Sequence, residues 1–150
     1  MDERAELTPK LVDSLYVEAM VLADEARSYF DSAAREDRLE LEPVDRVGFS
    51  CESLKVTTRL MHIIAWLLTQ RAVVAGELTR SQAGESDRRL GPAPQSDAQL
   101  LPRLPQPAVD LIRASEELYE RVQRLDEGSF GDAPSGSPAR SLLSRLERSL

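Results

Sequence analysis

From Val44 to Arg80 the chain runs without a proline, and apolar residues recur along it on more than one helical face. Val47, Cys51, Leu54, Thr58, Met61, Ala65, Leu68, Ala72 and Ala75 are spaced by three and four, the repeat of a single helix face. A second row carries Leu60, Ile63, Ile64, Leu67 and Val74. At ~100° per residue the apolar arc from Leu60 to Val74 covers roughly 220°. Two small neighbouring helices do not readily cover that arc. The spacing therefore predicts a central helix, about 44–80, that also meets a second copy of the chain. Leu60, Ile64, Leu67 and Val74 are the residues expected at that self-association surface. The first row is expected to face the core, with Cys51 a buried small hydrophobe. Gly48 and Gly76 leave both ends of the helix open, because glycine costs stability inside helices and favours their termini.

Two further helices flank this one. Thr8 can accept from a free backbone N–H, and Pro9 suits the first helical position, where its missing N–H is not needed. A helix over 8–33 follows, with Val12, Leu15, Ala19, Leu22, Ala26, Tyr29 and Ala33 as its apolar seam. Val17, Met20 and Val21 interrupt its charged face and read as ordinary exposed apolar residues. A third helix over 106–126 has Pro107 in its first turn and Ala108, Leu111, Ser115, Leu118, Val122 and Leu125 along its seam. The intervening 81–105 is rich in Pro, Ser, Gly and Gln and reads as a long loop, a class that is usually functional or disordered. Gly128 is expected to end the folded part. Residues 127–150 read as a flexible tail with a short amphipathic segment, 139–150, carrying Leu142, Leu143, Leu146 and Leu150 on one side. The expected fold is all-α: an antiparallel three-helix bundle over 1–126, close enough to the marginal size for a homodimer to be physically reasonable.

Composition removes several functions. Net charge is -7, with 26 acidic against 19 basic residues, so the chain lacks the basic footprint of a nucleic-acid binder. One cysteine and one histidine supply neither a disulfide framework nor a Cys/His metal cluster. The acidic start has no apolar run, and Leu60–Leu68 falls far short of the roughly 20 residues of a membrane span. A cytoplasmic location without membrane contact is expected, and no cofactor. The charge is also uneven. Residues 1–45 carry 13 acids against 5 bases, whereas 46–80 carry 2 against 5, suggesting complementarity between the first and central helices.

Catalytic constellations are absent from the pattern. No G-x-x-x-x-G-K or G-x-G-x-x-G run cradles a phosphate. Cys51 and His62 stand about 16 Å apart along one helix and cannot form a nucleophile pair within a chain. A lone histidine on a long helix could serve phosphotransfer, but Ile63, Ile64, Ala65 and Trp66 follow His62 where such domains place a lysine and a glycine. Lys55, Arg59, Trp66 and Gln70 share a stripe with Glu52, His62 and Glu77, opposite the first apolar row. Trp and Arg favour interface hot spots, so this stripe and the tail leucines are candidate partner-binding residues. The competing reading is a solvated helix face with Trp66 covered by a loop or tail.

The run Glu52-Ser53, Thr57-Thr58-Arg59-Leu60-Met61, Trp66-Leu67-Leu68, Gln70-Arg71-Ala72-Val73 and Gly76-Glu77 resembles the central helix of the RcdA family, alphaproteobacterial regulators of CtrA degradation. Leu101-Pro-Arg-Leu-Pro105, Leu118–Asp126 and Ser144–Glu147 extend the resemblance, in order, over most of the chain. It implies a homodimeric three-helix bundle with a mobile tail and no enzymatic activity. It further implies an adaptor for the ClpXP protease that helps deliver cell-cycle regulators for degradation, together with co-adaptors. His62 stands where the family pattern leads one to expect glutamine, and the 81–105 loop diverges.

Overall fold

The structure, a computed structural model, describes residues 7–131, whose regular elements are all helices, with no strand among them. The first helix, α1 (Pro9–Ser28), starts as its sequence directs: the Thr8 side chain accepts from the Leu11 N–H at 3.1 Å, and Pro9 occupies the first turn. It does not stop at residue 33. A π-helical turn over Tyr29–Ala33 passes directly into α2 (Ala34–Leu39). The wider turn sets Phe30 edge-on to Phe49, ring centroids 5.7 Å apart, and the Tyr29 hydroxyl donates to Asp37 at 2.7 Å. Arg46 then closes the corner by donating to the free carbonyls of Leu39 and Leu41.

The central helix, α3 (Pro43–Val74), has 32 residues and so extends about 48 Å. Gly48 lies inside it. Its last residue, Val74, comes six residues before the expected end at Arg80, and the chain turns away at Gly76, where φ is +78°. The N–H of Glu77 donates to Ala72 and that of Gly76 to Val73, the paired closure that a left-handed glycine permits. A short helix, α4 (Arg80–Ala83), follows with a reciprocal Thr79–Gln82 cap. The last helix, α5 (Gln106–Phe130), runs past Gly128 and ends at Gly131. The remainder of the expected tail, including segment 139–150 and its leucines, lies outside the described residues.

The three long helices touch one another pairwise. Their directions differ from a fully antiparallel arrangement. Asp13 meets Arg71 and Phe30 meets Phe49, so α1 and α3 are antiparallel. Glu18 meets Arg121, while Glu25 shares a groove with Ala114, so α1 and α5 are antiparallel as well. Arg59 bonds Ser115 and Trp66 bonds Asp126, in ascending order on both helices, which makes α3 and α5 parallel. A parallel pair needs a connection that returns the full length of α3. Residues 89–103, a strap, make that return. The expected third-helix direction is therefore corrected, and the Pro-rich segment, with its 3-10 turns at Ser86–Arg88 and Leu101–Arg103, is a fitted part of the fold.

Candidate interaction surface

The strap lies over α3 and α5 and is pinned at intervals by side chains. Arg89 donates to Asp126 at 2.9 Å, and the Tyr119 hydroxyl donates to the Gly91 carbonyl at 2.7 Å. Arg59, 2% exposed, donates through one nitrogen to Ser115 at 3.2 Å and through the other to the Pro94 carbonyl at 2.9 Å and Ser96 at 2.8 Å. Farther along, the Asp97 N–H approaches Glu52 at 3.4 Å, and Arg103 donates to Asp45 at 3.1 Å. Two glycines allow close seating: a methyl group on Gly48 would lie 2.5 Å from Leu100, and one on Gly91 would lie 2.8 Å from the His62 ring.

These polar groups are costly to bury, and their bonds offset the cost. Burial pushes the Arg59 guanidinium below its ordinary pKa, opposed by the charges of Glu116 and Glu52. Burial likewise raises the Tyr119 phenol, opposed by a backbone bond from Ala93. Beside the strap, a polar cavity of about 290 Å³ is lined by Arg59, Pro94, Glu116, Tyr119 and Asp126.

The opposite side of α3 is open. Val47, Leu54, Met61 and Leu68 recur every seven residues and are all exposed, Leu54 at 67% and Met61 at 63%. Between them lie the smaller Cys51, Thr58 and Ala65, with Ala72 following Leu68. The result is a heptad seam of large and small side chains that no helix covers among the described residues. A second surface lies between α1 and α5, where Val21, Leu22, Ala114 and Leu118 line a groove of about 330 Å³ bordered by Glu18, Glu25, Glu117 and Arg121.

Over residues 3–150 the chain matches a family described as a protein of unknown function (DUF1465). Its structure is similar to the crystal structure of RcdA from Caulobacter crescentus CB15, with 34% sequence identity, a TM-score of 0.67, and coverage of 87% of this chain and 97% of that one. The chain belongs to the RcdA family. No curated protein matches it.

The RcdA-family run now has a physical meaning. Glu52, Arg59, Trp66 and Gln70 were expected on a polar outer stripe, yet all four are buried. Lys55 is half-buried and holds Glu52 at 2.7 Å. The faces of α3 are the reverse of the expected ones: long-range bonds from Arg59 and Trp66 offset the burial of the polar stripe, while the row from Val47 to Ala75, expected in the core, is largely exposed. Cys51 is exposed as well. Of the residues expected at a self-association surface, Leu60 and Leu67 are buried within the chain, Ile64 is half-buried, and Val74 is exposed. Leu142, Leu143, Leu146 and Leu150 lie outside the described residues.

Charge complementarity between α1 and α3 takes the form of one exposed pair, Arg71 with Asp13 at 3.5 Å, and the Arg71 guanidinium 4.5 Å above the Tyr16 ring. His62 is half-buried with Nδ1 enclosed beneath the strap at Gly91, and nothing supports a phosphotransfer role. Asp126, Arg89 and Tyr119 were not singled out individually from sequence. Their signal, an Arg-Arg pair ahead of the prolines and a Tyr and an Asp on α5, is too common to stand out. No described helix is long and apolar enough to cross a membrane.

Proposed function

We propose that the chain is a non-enzymatic adaptor that brings protein substrates or co-adaptors to the ClpXP protease in regulated, cell-cycle proteolysis. The observation that carries this reading is the likeness to RcdA over 87% of the chain, joined to a motif whose buried members fix one surface of the molecule. The mechanism is proximity: holding cargo and unfoldase together raises the effective concentration of one at the other. The protein works in the cytoplasm as a three-helix bundle and a homodimer, without a cofactor, nucleic acid or membrane.

In this reading the second copy packs on the exposed seam of α3, where small residues at alternate heptad positions let two helices approach closely. Val47, Leu54, Met61 and Leu68 supply the area, with Ile64 and Val74 at the margin. Arg59 and Trp66 act from beneath, Arg59 by bonding the strap directly and Trp66 through Asp126, while Glu52 holds Lys55 at the partner surface and Gln70 is buried on the same face. The tail leucines Leu142, Leu143, Leu146 and Leu150 engage a client or co-adaptor. A pull-down from cells holding a catalytically trapped ClpXP tests the reading: enrichment of the unfoldase or its adaptors is expected, and their absence above background removes the proposal.

A further inference from the structure

The α1–α5 groove has an apolar floor and an acidic border. Leu22 and Leu118 are buried at its base, Val21 is 53% exposed at its lip, and Ala114 completes the floor. Glu18, Glu25 and Glu117 stand around it against a single cation, Arg121, which Glu18 already holds at 2.7 and 3.2 Å. Neither Glu25 nor Glu117 has an ion-pair partner among the described residues. An occupant that fits is short, apolar on one side and basic on the other.

The chain carries such a segment beyond the described residues. In 139–150, Leu142, Leu146 and Leu150 recur every four residues, and Arg140, Arg145 and Arg148 outnumber the single Glu147. The geometry of reach agrees. The described chain ends just after Phe130, and groove residues 114–121 lie about 14–24 Å back along α5 at the helical rise. Residues 132–138 span roughly 23 Å when extended, enough to round the end of α5 and return beside it.

We propose that residues 139–150 dock in the α1–α5 groove of their own chain, antiparallel to α5. Leu142, Leu146 and Leu150 rest on Val21, Leu22 and Leu118, and the arginines lie beside Glu25 and Glu117. The tail is then withheld from other proteins until a competitor displaces it. This goes beyond the adaptor reading and concerns the isolated chain alone, so its failure leaves that reading untouched.

Disulfide trapping in the full-length protein tests it. On a Cys51→Ser background, Val21→Cys with Leu146→Cys is compared with Val47→Cys with Leu146→Cys under mild oxidation, with products read by mass. An intrachain bridge is expected at least ~10-fold faster for the groove pair, independent of protein concentration, as for an intramolecular encounter. Adding Glu25→Lys and Glu117→Lys is expected to slow it several-fold, most at low salt. Equal rates for the two pairs overturn the proposal. So does bridging only between chains, which puts the tail in the groove of a second copy.

Discussion

Trp66 and Asp126 stand 60 residues apart in sequence and share a buried hydrogen bond, the indole N–H donating at 2.8 Å, with each residue 1% exposed. The same carboxylate oxygen accepts from Arg89 at 2.9 Å. One aspartate thus joins α3, α5 and the start of the strap. Trp66→Phe keeps most of the apolar volume and loses one bond, at a cost of about 1–3 kcal/mol. Asp126→Ala leaves a nearly buried Arg89 without its counter-charge, at a cost of about 3–5 kcal/mol. Urea unfolding of the two variants checks the order. A smaller loss for Asp126→Ala than for Trp66→Phe contradicts the assignment.

Gly91 and His62 provide a test of how tightly the strap is seated. A methyl group at Gly91 meets the His62 ring at 2.8–3.0 Å, so Gly91→Ala forces the strap or the ring to shift. Overpacking of this kind costs about 1–3 kcal/mol. His62→Ala clears the space. The double variant is therefore expected to recover part of the loss, with a coupling of at least ~0.5 kcal/mol in a mutant cycle. Limited proteolysis supplies a second reading, with faster cleavage between residues 89 and 97 in Gly91→Ala alone. Strict additivity of the two substitutions means that strap and ring do not touch.

The helices were legible because local chemistry specifies them. Pro9 behind Thr8, the three–four seam of α1 and the alternation on α5 all act within a few residues. The orientation of α3 was not legible, for a physical reason. Apolar side chains occupy two sides of it, and hydrophobicity alone favours the side without Glu52, Arg59 and Gln70. What reverses that preference is a set of partners distant in sequence: Ser115 and Pro94 for Arg59, Asp97 for Glu52, Asp126 for Trp66. Periodicity carries no information about bonds at such separations. The parallel course of α3 and α5 was hidden by the same interactions, since they place the strap. The π turn at Tyr29–Ala33 had no sequence signature either, so α1 was ended too soon. The resemblance to the RcdA family, by contrast, picked out the residues around which the strap is fitted, although not what they do there.

The exposed seam makes self-association separable from folding. Leu54 and Met61 touch little within the protomer, so Leu54→Asp or Met61→Asp is expected to change protomer stability by no more than ~0.5 kcal/mol. Either substitution places a charge on the proposed contact between copies and is expected to give a monomer in light scattering, against the dimer expected of the parent chain. Leu67 lies on the inner face, and Leu67→Ala is expected to cost about 2–5 kcal/mol as a cavity variant. Melting temperatures are compared at one protein concentration, because a dimer's stability depends on it. If both aspartate variants match the mass of the parent across concentrations, the seam is not the contact between copies.

Alkaline pH reports on the two tyrosines whose hydroxyls hold the fold together. Burial, followed by the bond to Asp37, raises the Tyr29 phenol; burial raises Tyr119. A raised phenol binds its proton more tightly in the folded state than in the unfolded one. Its stabilisation is therefore complete below the unfolded value near 10 and is lost as pH rises from there through the folded value. The slope is at most ~1.4 kcal/mol per pH unit for each tyrosine, and less for Tyr29, whose surroundings are partly solvated. Urea unfolding between about pH 8 and about pH 11 is expected to be level at first and then to fall. Tyr29→Phe and Tyr119→Phe each remove part of that fall, although both start from lower stability at neutral pH because a hydrogen bond is missing. Every other group is shared by parent and variant, so the difference between them isolates the phenols. A decline of unchanged slope in both Phe variants means that neither hydroxyl is held as the structure has it.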